Sequence, residues 1–212
     1  MRQKKNIRQW RLPASFAIGV VAMLTALGNA QVQAQPNSAG RGAVVFPDGL
    51  QWQRMQLVAF NYSSGKPDSV TLRKAAQDVW GKTIEDSTGE DGRYASFVLL
   101  RHYSDDSYRY TFSILSAAHA AYPQCENPPD GGDEQTPTYS TCPLRVVIES
   151  KASGKQSSQD FPRYCAMLSL DDGEPDTLDR SEIAFDKQTH IAYFRVFQYG
   201  KLVPSCNRAV KF

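Results

Sequence analysis

The sequence predicts an α+β domain: a curved antiparallel sheet of about six to eight strands, one main helix packed on one of its faces, and disulfides that staple the whole. Three observations point there. One segment has helical periodicity, a succession of short alternating apolar runs follows it, and four cysteines stand far apart in a chain of 212 residues.

The helix is read from PDSVTLRKAAQDVWGK, residues 67–82. Leu72, Ala75, Ala76, Val79 and Trp80 recur at i, i+3, i+4, i+7 and i+8, which places them on one face. Asp68 or Ser69 suits its N-cap and Gly81 its C-terminal stop. The helix should lay its Trp80 face on a sheet.

The strands follow from period-two alternation and from turn residues. Pro47-Asp48-Gly49 divides two apolar runs, the second ending in QLVAFNY. RYASFVLLRHY and YRYTFSILSA flank Ser104-Asp105-Asp106-Ser107 and predict a hairpin. In the second of these, Tyr108, Tyr110, Phe112 and Ile114 alternate with Arg109, Thr111 and Ser113, so one face is buried. The first is apolar on both faces at its middle and belongs in the centre. LRVVIES, YCAMLSL, EIAFD and HIAYFRVFQYG continue the meander, and CNRAVKF supplies an edge strand.

The staples are read from Cys125, Cys142, Cys165 and Cys206. Sequence permits three connectivities. Cys125 with Cys142 and Cys165 with Cys206 is favoured, because the first pair clamps the proline- and glycine-rich stretch CENPPDGGDEQTPTYSTC and the second ties two late strands together. A zinc site would need ligand pairs two to four residues apart, and no two of these cysteines are that close.

Residues 1–34 read as a signal peptide. Arg2, Lys4, Lys5, Arg8 and Arg11 precede the apolar run Ala14 to Gly28, and small residues then allow cleavage after Ala30 or Ala34. Residues 35–42 form a polar flexible leader and 43–212 a single globular domain. Losing the five basic residues lowers the formal charge from +2 to −3. A mildly acidic domain lacks the basic stripe that tracks phosphates, so nucleic acid is not an expected partner. No stable membrane span is expected after signal cleavage, and the domain should work in the periplasm or outside the cell.

Motifs for catalysis are sparse. There is no G-x-S-x-G and no H-E-x-x-H, and Gly81-Lys82-Thr83 reads as a helix end rather than a phosphate loop. His102, His119 and His190 stand near strand ends and would matter only if they converged with one another or with a carboxylate. Asn61-Tyr62-Ser63 is read as a chance match to the glycosylation pattern. The runs YRYTF, AYFRVFQY and FPRY suit strand cores ahead of binding hot spots. Two acidic stretches remain as binding candidates: Asp130, Asp133 and Glu134 in the clamped loop, and Asp171, Asp172, Glu174 and Asp176 in DDGEPDTLDR. The second lacks the ligand spacing of an EF-hand, so no metal and no cofactor is expected.

The expected function is therefore a non-enzymatic domain that binds another protein of the envelope or the exterior. An inhibitor or immunity protein against an exported toxin or enzyme fits this, as does an accessory subunit of an envelope assembly. The alternatives are a small envelope hydrolase using histidine and carboxylates, and a carrier of lipid or another small ligand.

Overall fold

The computed structural model describes residues 44–62, 69–88, 94–117, 125–126, 139–168 and 178–212. The chain divides into two units, Met1–Gln33 and Ala34–Phe212, and every described residue belongs to the second. The expected signal peptide and leader lie outside the described residues, as does His119.

A helix, α1 (Val70–Thr88), sits between the second and third of ten described strands: β1 (Gln53–Arg54), β2 (Gln56–Phe60), β3 (Ser96–Ser104), β4 (Tyr108–Ala117), β5 (Ser140–Ser150), β6 (Gln156–Ala166), β7 (Arg180–Asp186), β8 (Ile191–Gln198), β9 (Lys201–Leu202) and β10 (Arg208–Lys211). They form two antiparallel sheets. The central sheet runs β2-β3-β4-β5-β6, and the second runs β1-β7-β8-β10 with β9 beside β8. The fold is mostly sheet with one helix among the described residues, and neither sheet closes into a barrel.

Two sheets replace the single curved one expected, and β4 shows why. Phe112 and Ile114 are buried on one side of this strand while Ser113 and Leu115 are buried on the other. One helix covers only one of these faces. The other is covered by the second sheet, whose Ile183, Ala192, Phe194 and Val210 share a cluster with Phe112, Ile114, Leu144 and Val146. Burying such a side chain contributes about 1.5–3 kcal/mol, so an uncovered face would forfeit much of the stability of a small domain. The aromatic runs serve this core: Phe112 meets Phe185 at 5.4 Å and Phe194 at 6.2 Å, and Tyr164 meets Phe194 at 4.9 Å.

On the opposite face α1 packs Ala76, Trp80 and Ile84 against Val58, Phe60, Val98, Leu100 and Leu115. The Trp80 indole donates to Ser113 Oγ at 2.8 Å, which satisfies a hydroxyl buried beneath it. Arg145 of β5 lies over the Trp80 ring at 4.2 Å, donates to the Val79 carbonyl at 3.0 Å and pairs with Asp160 at 2.7 Å. Arg73 N–H donates to the Ser69 carbonyl at 2.9 Å, which makes Ser69 the residue preceding the first turn. The C-terminal boundary differs from expectation. The helix runs through Gly81-Lys82-Thr83 to Thr88, because Ile84 continues the apolar face one turn beyond Trp80. Glycine inside a helix costs about 1 kcal/mol, which the burial of Ile84 exceeds.

Strand β6 is longer than the sequence suggests. It begins at Gln156, and its outer half, Gln156 to Asp160, is exposed on both faces. As the edge of the central sheet it carries Pro162 and, at a break in register with β5, Arg163 at φ 64°. Proline and bulges are suited to an edge that must not pair with another chain.

Candidate functional site

Antiparallel pairing decides which loops share an end of the molecule. Ser140 at the start of β5 pairs with Ala166 at the end of β6. Cys125 is joined to Cys142, near the start of β5, with a Cα separation of 4.3 Å, and Glu126 and Thr141 of β5 exchange backbone hydrogen bonds of 2.8 and 3.0 Å. Just beyond β6, the Met167 N–H donates to Ser181 Oγ at 2.9 Å, which ties the exit of β6 to the start of β7. Cys165 is joined to Cys206, with Cα atoms 5.6 Å apart, and so links β6 to the turn before β10. Tyr139, Cys165, Met167, Val196 and Cys206 make one buried cluster here.

The favoured cysteine pairing is thus the one formed, and both bonds lie at this end. In the chain-entropy view, closing 17 and 41 residues stabilises by about 3 and about 4 kcal/mol respectively. Between these anchors run residues 127–138 and 169–177. They contain Asp130, Asp133, Glu134, Asp171, Asp172, Glu174 and Asp176 and no lysine or arginine. These seven carboxylates lie outside the described residues, whereas the points at which their segments join the fold are described and adjacent.

The opposite end is closed by short turns. Asp105 Oδ1 accepts from the N–H groups of Ser107 and Tyr108 at 2.8 and 2.7 Å, and its Oδ2 accepts from the Tyr110 hydroxyl at 2.6 Å. The Tyr110 bond first, then the backbone donors, pull the Asp105 pKa down to about 2. Burial, and then the same bond, raise that of Tyr110. Between β7 and β8, Asp186 accepts from the Thr189 hydroxyl and the Gln188 N–H at 2.6 and 2.9 Å, and these lower its pKa.

A cleft of about 410 Å³ opens where α1 leaves the polar half of the central sheet uncovered. His102, Thr111, Arg109, Glu149 and Gln156 line it from the sheet, with Asp78 from the helix. Cross-strand register assembles them, for His102 faces Thr111 and Arg109 faces Glu149, which faces Gln156. His102 Nδ1 hydrogen-bonds Thr111 Oγ1 at 2.9 Å. Loss of water around the ring, and then the Arg101 charge, lower its pKa below 6.5. Both carboxylates have other partners: Glu149 binds Arg109 and Gln156 at 3.1 Å each, and Asp78 binds Lys74 at 2.8 Å.

His190 stands apart from His102. Its ring lies 6.2 Å from that of Tyr110, on the side of the sheet facing away from His102 and Thr111. The two described histidines therefore do not converge. Glu149, Thr111 and Gln156 as companions of His102 were beyond sequence reasoning, since strand register alone brings them together.

Among the described residues no group of His, Cys, Asp and Glu is placed to hold a metal ion, and no helix is long and apolar enough to cross a membrane. The two disulfides fit an oxidising, extracytoplasmic environment. No family model, no curated protein and no solved structure matches the chain.

Proposed function

We propose that this chain is an exported domain, periplasmic or secreted, that binds another protein through its disulfide-stapled acidic end and carries out no chemistry of its own. The observation that carries this reading is the adjacency of the two loop anchors, Ser140 opposite Ala166 and Met167 bonded to Ser181. Segments rooted side by side on one rigid base, with seven carboxylates and no basic residue between them, suit a basic partner surface. Charge complementarity of this kind speeds association and rejects acidic competitors. Within this class, an inhibitor or immunity protein that covers the basic cleft of an exported toxin or enzyme fits best, ahead of an accessory subunit of an envelope assembly.

The test is capture from envelope extract by the oxidised domain beside a variant with all seven carboxylates changed to Asn or Gln. A stoichiometric partner retained by the parent, lost from the variant and released by raised salt supports the reading. Equal retention by both, or no partner for either, overturns it.

One observation favours the hydrolase alternative: His102 shares its cleft with Glu149 and Asp78. If that cleft is catalytic, His102→Ala abolishes turnover of an ester or amide substrate while leaving the melting temperature nearly unchanged. Turnover unaffected by the change removes this alternative.

A further inference from the structure

A second cleft, of about 330 Å³, opens where the chain passes from β1 in the second sheet to β2 in the central one. Met55, Leu99 and Met167 supply apolar wall, and Arg54, Arg101 and Arg180 come to it from β1, β3 and β7. No carboxylate is among its described lining residues. Arg54 donates to the Asp179 carbonyl at 3.4 Å, and Arg180 pairs with Glu182 at 2.6 Å.

Arg101 differs from both. Strand alternation sets it with Leu99 and Tyr103 on the side of β3 that faces the second sheet, where a charge is out of place. It is half-buried, and its Nε donates to Gln53 Oε1 at 2.7 Å, a neutral acceptor. It makes no ion pair among the described residues. A guanidinium partly withdrawn from water gains most from an anion that its terminal nitrogens can hold in bidentate fashion. With Arg54 and Arg180 engaged elsewhere, it is Arg101 that supplies the attraction for negative charge, and the methionine and leucine walls offer apolar contact to whatever carries that charge.

We propose that this cleft binds a small amphipathic anion, a carboxylate or phosphomonoester head on an apolar body, with Arg101 gripping the head and Met55 and Met167 packing on the body. The inference does not depend on the protein-binding reading.

Met55 and Met167 are the only methionines after Met23, so their methyl signals report on this cleft. Protein labelled with ¹³C at the methionine methyls is titrated with decanoate, with decyl phosphate and, as a cationic control, with decyltrimethylammonium. At least one of the anions should shift both signals saturably with a Kd below about 1 mM, and the cation should not. Arg101→Gln should weaken binding by about tenfold or more, the loss of a bidentate charge-assisted contact, while Arg109→Gln in the other cleft leaves it unchanged. Where Arg101→Gln fails to fold, Arg101→Lys replaces it, and a reduced but measurable affinity is the supporting result. The proposal is overturned if neither anion moves the two signals, if the cation binds as well, or if Arg101 variants bind like the parent.

Discussion

At one end of the central sheet, three residues separate β3 from β4 and five separate β5 from β6. At the other, β4 reaches β5 and β6 reaches β7 only after long acidic stretches, and both disulfides sit there. The short turns hold themselves. Asp105 alone ties two backbone N–H groups and the Tyr110 hydroxyl, and Asp186 does similar work beside His190. The long acidic stretches are instead bracketed by covalent bonds, Cys125 with Cys142 and Cys165 with Cys206. Both staples thus stand where the long acidic stretches leave and rejoin the fold, at an end whose one described tight turn, Tyr199-Gly200 between β8 and β9, is held by Leu178 and Asp179.

The largest expected effect comes from removing both staples. Changing all four cysteines to serine should cost about 7 kcal/mol in the chain-entropy view, a large part of the 5–15 kcal/mol that holds a domain together. Urea denaturation should then show a midpoint far below the parent's. Single-bond variants sharpen the contrast: Cys165→Ser with Cys206→Ser should cost about 4 kcal/mol and Cys125→Ser with Cys142→Ser about 3, in that order of denaturation midpoint.

At the other end the effects are smaller. Tyr110→Phe removes one hydrogen bond from a buried ring and should cost about 1 kcal/mol in the same assay. The smallest is a pH effect. Because the Asp105 pKa is depressed from 3.8 to about 2 in the folded protein, its contribution is complete above pH 3.8 and is lost as pH falls towards 2. Asp105→Asn should therefore flatten the decline of the denaturation midpoint between those values. A decline as steep as the parent's would mean that the carboxylate does not cap this turn. Asp186, lowered in the same direction, leaves some slope behind.

Much of this was legible in the sequence for a reason that can be named. The α1 face, the β3–β4 hairpin and the cysteine pairing rest on local periodicity or spacing, and each was readable. The end of α1 was not, because Gly81 is a strong stop signal that only the tertiary burial of Ile84 overrides. Nor was the outer half of β6, since Gln156 to Asp160 is polar on both sides and gives no alternation at an edge. The division into two sheets was hidden because β1 is two residues long and its partner β7 lies more than a hundred residues away. The clefts depend on register between distant strands. One signal was nonetheless present: Arg101, flanked at two-residue spacing by Leu99 and Tyr103, is a charge on an apolar strand face.

The contrast between the two ends is tested most directly by amide hydrogen exchange on the oxidised and the fully reduced protein. Reduction should collapse protection at Thr141, Leu144 and Met167 while amides beside the tight turns, such as Tyr110 and Ile148, retain most of theirs in whatever folded fraction remains. Equal loss at both ends, or protection at the cysteine-bearing end that survives reduction intact, would contradict the division of labour between sulfur bridges and turns.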